Sequence, residues 1–220
     1  MATIQPTPSR TRVRTVLLAV IAVGLVLIGG GLAVALGIGR GDASEPNAVD
    51  IGFSRDMATH HLQGVELANA ALDRSADPAV RGLAFDIAST QNNQVGRMHG
   101  WLALWGYSPT GGEAMSWMSA DGAHSGHGMG AGGSLMPGMA TEAEITALRS
   151  LEGTAFDVEF LRLMIRHHQG GLGMAEDAVA NAKTSVVRTL AQRIAESQTA
   201  ETSLMTDMLT TRGGTPLPAP

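Results

Sequence analysis

The sequence predicts an all-α protein: an antiparallel four-helix bundle built from a duplicated helical hairpin, preceded by one transmembrane helix. Three observations predict it. An uncharged apolar run fills Val16 to Ile38. Beyond it, apolar residues recur at helical spacings of three and four. Shifting the chain by 107 residues then superimposes two long stretches of it on each other without a gap.

Residues 1–15 read as a cytoplasmic N-terminus, 16–38 as a transmembrane signal anchor and 39–47 as a linker. Arg10, Arg12 and Arg14 precede the apolar run, and Arg40 and Asp42 close it. As a helix the run would extend about 34 Å, enough to cross a bilayer core. Positive charge before it keeps the N-terminus inside and sends the rest out. The expected location is therefore the cell membrane, single-pass, with the C-terminal domain periplasmic or extracellular. The competing reading is secretion after cleavage of a signal peptide, for which Ala33-Val34-Ala35 offers small residues, although the run exceeds a usual signal core.

Residues 48–212 form the duplicated domain. Asp50, Phe53, Arg55, Met57, His60, His61, Gly64 and Ala68 match Asp157, Phe160, Arg162, Met164, His167, His168, Gly171 and Ala175. The same offset pairs Val80, Leu83, Ile87, Gln91, Met98 and Gly106 with Val187, Leu190, Ile194, Gln198, Met205 and Gly213. Hairpin 1 spans 48–106. Its first helix breaks at Asp73–Pro78, where Asp77 can cap and Pro78 can open the second. A Gly/Met/His-rich loop, 107–140, follows, with Met115, Met118, His124, His127, Met129, Met136 and Met139. Its glycines argue against a packed structure of its own. It reads equally as a flexible connector or as a strand that collects soft metal ions. Hairpin 2 spans 141–212, with a short helix near Thr141–Ser150 and long ones over Ala155–Ala182 and Thr184–Thr211. The tail, 213–220, is expected to be disordered.

Composition excludes several functions. The chain has no cysteine, so disulfides, thiolate metal sites and cysteine nucleophiles are absent. From Gly41 onward 11 basic residues face 20 acidic ones, and nucleic-acid binding lacks its basic footprint. No nucleophile elbow, His-Glu-x-x-His or phosphate loop occurs. Asp50 and Asp157 open their helices, where a carboxylate interacts favourably with the N-terminal dipole.

The chemistry rests on the two histidine pairs. Adjacent histidines on a helix diverge by about 100°, so one of each pair is expected to point into the bundle. Met57 precedes His60 and His61 by one turn, as Met164 precedes His167 and His168, which stacks thioether and imidazole on one face. Folding hairpin 1 about residue 76 sets Gln91 level with His61 and Met98 near Phe53; folding hairpin 2 about residue 183 sets Gln198 level with His168. Buried histidine and methionine are often plain core residues. Two pairs in register beside paired methionines favour a ligand instead. Thioether with imidazole suits copper, Cu(I) especially, whereas zinc would leave the methionines unused. The inner set is Met57, His60, His61, Met164, His167 and His168, with Met98, His99, Met174 and Met205 as further candidates. Protons should compete with the ion, so metal affinity of the helical site is expected to weaken between about pH 7 and 5 as its histidines protonate.

The pattern Asp50-x-x-Phe53-x-x-x-Met57-x-x-His60-His61, repeated from Asp157 to His168 and continued to Met174-Ala175, resembles the exported bacterial proteins grouped as domain of unknown function 305. The resemblance covers roughly residues 48 to 212, including Gln91, Met98, Trp101–Gly106 and Met136-Pro137-Gly138-Met139. It implies a ferritin-like helical bundle, an exported or membrane-anchored location and, in some members, copper binding linked to copper tolerance. Two positions depart from the family pattern. Gln63 and Gly170 stand where members often carry an acidic residue, and Met174 has Leu67 as its mate. The two halves of a site would therefore be unequal.

These readings converge on a membrane-anchored extracytoplasmic protein that binds, buffers or hands over copper without catalysing a reaction. A metal-dependent redox or hydrolytic enzyme is one alternative, although no general base is evident. A structural or pH-sensing module without metal is the other. Protein partners, including a second copy, are left open by the sequence.

Overall fold

A computed structural model of the chain describes residues 14–15, 18–26, 45–118 and 136–220. The chain divides into two units, Met1–Ala43 and Ser44–Pro220. In the first, residues 18–26 are helical, with Leu18, Val20, Ile21, Val23, Leu25 and Val26 exposed. The remainder of the expected 16–38 span lies outside the described residues. Among the described residues no helix is long and apolar enough to cross a membrane.

The second unit is helical throughout its regular structure, with no strand among the described residues. Its elements are α1 (Ala48–Arg74), α2 (Pro78–Leu104), α3 (Glu142–Ser150), α4 (Gly153–Asn181) and α5 (Ser185–Thr211). The helix starts follow local chemistry. Asn47 and Asp50 form a capping box on α1, and Thr141 and Glu144 form one on α3. On α2, Asp77 accepts from Ala79 N and Pro78 takes the first turn, where a missing N–H costs nothing.

α1 packs against α2, α4 against α5, and the two hairpins meet through α1 and α4. Asp50 joins them: besides capping α1, its buried carboxylate accepts from Lys183 N, Thr184 N and Thr184 Oγ1 at the start of α5. Its mate Asp157 is also buried, but its Oδ1 has no partner among the described residues. Arg166 binds Glu144 with both nitrogens of its fork and holds α3 on α4. That pairing keeps the Glu144 carboxyl down at about 2.

The bundle interior is two apolar clusters, not one. The first unites the C-terminal half of α1 (Leu67, Ala68, Ala71) with the N-terminal half of α4 (Phe156, Phe160, Met164) and Met205 of α5. The second unites Phe53 and Met57 with Met98, Met174 and Ala178, and with Val187 and Leu190 of α5. That division is what antiparallel helices produce when a polar layer crosses their middle. The tail 213–220 is irregular but packed: Arg162 Nε donates to Thr215 O, and Leu217 lies against the first cluster.

Candidate metal centre

The polar layer is made of the four histidines. All are fully buried, so both members of each pair enter the interior and not one alone. The 100° divergence is met by giving them different neighbours. His60 and His167 stack across the α1–α4 interface, with ring centroids 3.9 Å apart and planes inclined by 34°. His61 and His168 turn toward their own hairpins, where Nε2 lies 2.6 Å from Gln94 Oε1 and from Glu201 Oε2 respectively.

These contacts correct the expected register. His61 meets Gln94, and Gln91 sits on Gly64, where a Cβ would fall 2.2 Å from Gln91 Oε1. Hairpin 1 therefore folds between residues 77 and 78, and hairpin 2 between 184 and 185, because each second helix begins at that point. Met98 is then level with Met57, not with Phe53, and Met205 with Met164. Gly64 faces His167 and Gly171 faces His60, which fixes α1 against α4. In that register Met174 comes level with Met57, and Leu67 with Met164. Cluster membership agrees, with Met57, Met98 and Met174 in one apolar half and Met164, Met205 and Leu67 in the other. His99 is only half-buried, and neither stacks on nor hydrogen-bonds another histidine among the described residues.

Sequence reasoning missed Gln94 and Glu201. They are mates at the 107-residue offset, 33 residues after their histidines, but a search for identical mates passes over a Gln–Glu pair. It named the Met136-Pro137-Gly138-Met139 segment but not the contact that segment makes with the histidine layer. His60 Nε2 lies 3.2 Å from Pro137 O, while Gln63 exchanges two hydrogen bonds with the Ala140 backbone. A Cβ on Gly170 would fall 2.1 Å from Pro137 O, so glycine is required beneath this turn. The unusual residues at 63 and 170 thus both serve to seat it. Met136 and Met139 join the half containing Met57, and Met115 and Met118 pack against it. His124, His127 and Met129 lie outside the described residues.

The hydrogen bonds also fix the imidazole protonation. Each Nε2 faces an oxygen: Pro137 O for His60, Gln94 Oε1 for His61, His60 O for His167 (3.0 Å) and Glu201 Oε2 for His168. Backbone carbonyls and carboxylates only accept, so Nε2 carries the hydrogen in His60, His167 and His168, and the Gln94 amide oxygen accepts from His61 likewise; in a neutral ring Nδ1 then holds the lone pair. All four Nδ1 atoms are buried without a partner among the described residues, as are Gln91 Oε1 and the Gln198 amide. Burial holds His60 down at about 4, against the hydrogen bond to Pro137 O, which acts the other way. Burial and the charge of His60 hold His61 at about 3. His167 is lowered well below the ordinary 6.5 by burial and then by the other three histidines. His60, His61 and His167 are therefore neutral imidazoles at physiological pH, the form that binds metal. Among the described residues no three His, Asp or Glu side chains are placed to hold an ion by themselves. The further donors adjoining the layer are thioethers.

Fold and site together define a helical-bundle protein whose middle is crossed by a buried layer of imidazoles flanked by thioethers. The chain matches the family "Domain of unknown function (DUF305)" over residues 50–209, and it belongs to that family. It resembles the crystal structure of a secreted DUF305 protein of Streptomyces coelicolor at 43% identity and a TM-score of 0.67, covering 76% of this chain and 93% of that one. A DUF305 fragment from Deinococcus radiodurans is 32% identical with a TM-score of 0.61, covering 76% and 98%. CopM in its Cu(II)-bound form is 30% identical with a TM-score of 0.57, covering 74% and 96%. Its Cu(I)-bound form aligns at 26% identity, covering 75% of this chain and 98% of that one, with a TM-score of 0.58. Comparison with curated protein sequences finds no match.

Proposed function

We propose that this protein is a membrane-anchored, extracytoplasmic copper-binding protein that buffers or hands over the ion through histidine and methionine side chains. Copper is its cargo. His60, His61, His167 and His168 supply Nδ1 lone pairs, and Met57 and Met164 supply thioethers one turn away. Met98, Met174 and Met205 stand behind them, and the half-buried His99 is the outermost candidate.

The observation that carries this reading is the set of four buried Nδ1 atoms without a partner among the described residues. An unsatisfied buried polar group costs roughly 1–3 kcal/mol, and four at duplicated positions are hard to retain for packing alone. A soft cation would satisfy them, and thioether with imidazole is a donor set for copper. The copper-bound forms of the related CopM are consistent with this. The anchor rests on the apolar run and its flanking arginines, and membrane fractionation with protease accessibility tests it.

The test of binding is a competition titration of the full chain with Cu(I) under anaerobic conditions. The natural sequence should bind Cu(I) at least tenfold more tightly than a variant carrying His60→Gln, His61→Gln, His167→Gln and His168→Gln. Equal affinity in a folded variant would refute the proposal.

A further inference from the structure

The duplication has not kept its two halves alike, and the differences run in one chemical direction. In the first half Met57, Met98 and Met174 stand at one level beside His60 and His61, with Met136 and Met139 in the same apolar cluster. The polar partner of His61 there is a neutral amide, Gln94. In the second half the level of Met164 holds only Met205, because Leu67 replaces the third thioether. The partner of His168 is a carboxylate, Glu201, at 2.6 Å. Arg166, on the same helix, is already neutralised by Glu144, so the charge of Glu201 is not cancelled from that side.

Charge and softness then select different ions. A monovalent d10 ion gains from polarisable sulfur and needs little compensating charge. A divalent ion in a fully buried layer needs a nearby anion, because an uncompensated buried charge is strongly unfavourable. A carboxylate bonded to the far nitrogen of an imidazole also raises the basicity of its ligating nitrogen. Glu201 provides both effects, and Gln94 provides neither.

We propose, building on the copper reading above, that the two halves are specialised half-sites. The half at Met57, Met98 and Met174 takes a soft monovalent ion, Cu(I) or Ag(I). The half at His168 and Glu201 takes divalent copper. Met174 and Glu201 are the residues that set this preference, the first as a ligand and the second as a positioning residue acting through His168.

Two conservative variants test it in the full chain, with Ag(I) as the redox-inert monovalent probe and Cu(II) as the divalent one. Met174→Leu should weaken Ag(I) about tenfold and leave Cu(II) within about twofold. Glu201→Gln should do the reverse, weakening Cu(II) about tenfold, in the range seen when a ligand's supporting partner is lost. Met174→Leu nearly keeps volume, and Glu201→Gln reproduces the amide already present at Gln94, so both should fold; thermal melts of the metal-free variants check this. Equal weakening of both ions by each variant, or no change in either, overturns the specialisation. If the natural sequence binds both ions and the four-histidine variant binds neither, that failure leaves the copper reading standing. If the natural sequence binds neither ion, both fall.

Discussion

Acid should destabilise the metal-free protein steeply, and in a window set by the buried histidines. Their folded-state affinities for protons lie below the ordinary 6.5: His60 at about 4, His61 at about 3 and His167 lower in direction. The unfolded chain therefore binds protons that the folded one refuses. Stability is full above pH 6.5 and is lost as pH falls toward the folded values. One pH unit of difference is worth about 1.4 kcal/mol per group, so at pH 5 His60 and His61 each cost about 2 kcal/mol, about 4 together, and His167 adds to this in the same direction. That is a large part of the stability of an ordinary domain, about 5–15 kcal/mol. Two carboxylates bound the window. Glu144, held at about 2 by Arg166, contributes stability that is lost only below its unfolded value of 4.5. Asp56, raised by burial, acts with the opposite sign and gains stability as pH falls. Urea denaturation in the presence of a chelator at pH 7, 6 and 5 measures the effect. The expected result is a falling midpoint at constant m-value, with uptake of two to three protons on unfolding near pH 5. A flat midpoint from pH 7 to 5 would show that the histidines are not held neutral by burial. The same burial moves proton competition for the metal below the pH 7–5 range that ordinary imidazoles would give, toward pH 4.

Three further outcomes follow from the packing. Asp50→Ala should cost roughly 3 kcal/mol by thermal or urea melts, since it orphans Asn47 N at the start of α1 and the Lys183 and Thr184 donors at the start of α5, whereas Asp157→Asn should change stability by less than about 1 kcal/mol. Gly170→Ala should destabilise by roughly 3 kcal/mol, because its Cβ meets the Pro137 backbone; Gly64→Ala should cost less, because the atom it meets is the end of the Gln91 side chain. Met57→Leu with Met164→Leu should keep the melting temperature within a few degrees and weaken Cu(I) relative to Zn(II) in parallel titrations. Equal loss of the two metals would reduce both methionines to core filler.

Much of the fold was legible because it is local. The break at Asp77-Pro78 is written in capping residues, and the duplication shows as identical residues at one offset. The site was legible in kind but not in detail. Met57, Met164 and the four histidines could be named because thioether and imidazole recur in step. What could not be read was which partner each ring would meet. Moving the hinge by one and a half residues shifts the facing residue by three, from Gln91 to Gln94, and helix ends read from sequence vary by about as much as the hinge moves. Pro137 escaped for another reason. Its role depends on a close approach to Gly170 across 33 residues of chain, and nothing local in Met136-Pro137-Gly138-Met139 says where that turn will rest. The tail escaped likewise, since a stretch without periodicity can still pack against α4 through Arg162 and Leu217.

The central claim is that four buried imidazoles keep the hydrogen on Nε2 and offer Nδ1 to a soft ion. Long-range nitrogen-15 NMR of the histidine rings, before and after addition of Ag(I) to the full chain, measures it directly. The account predicts the Nε2–H tautomer for His60, His61, His167 and His168 in the metal-free protein. Added Ag(I) should then shift Nδ1 of at least one of these rings. Rings that carry the hydrogen on Nδ1, or a metal shift confined to Nε2 or to histidines outside the bundle, would contradict it.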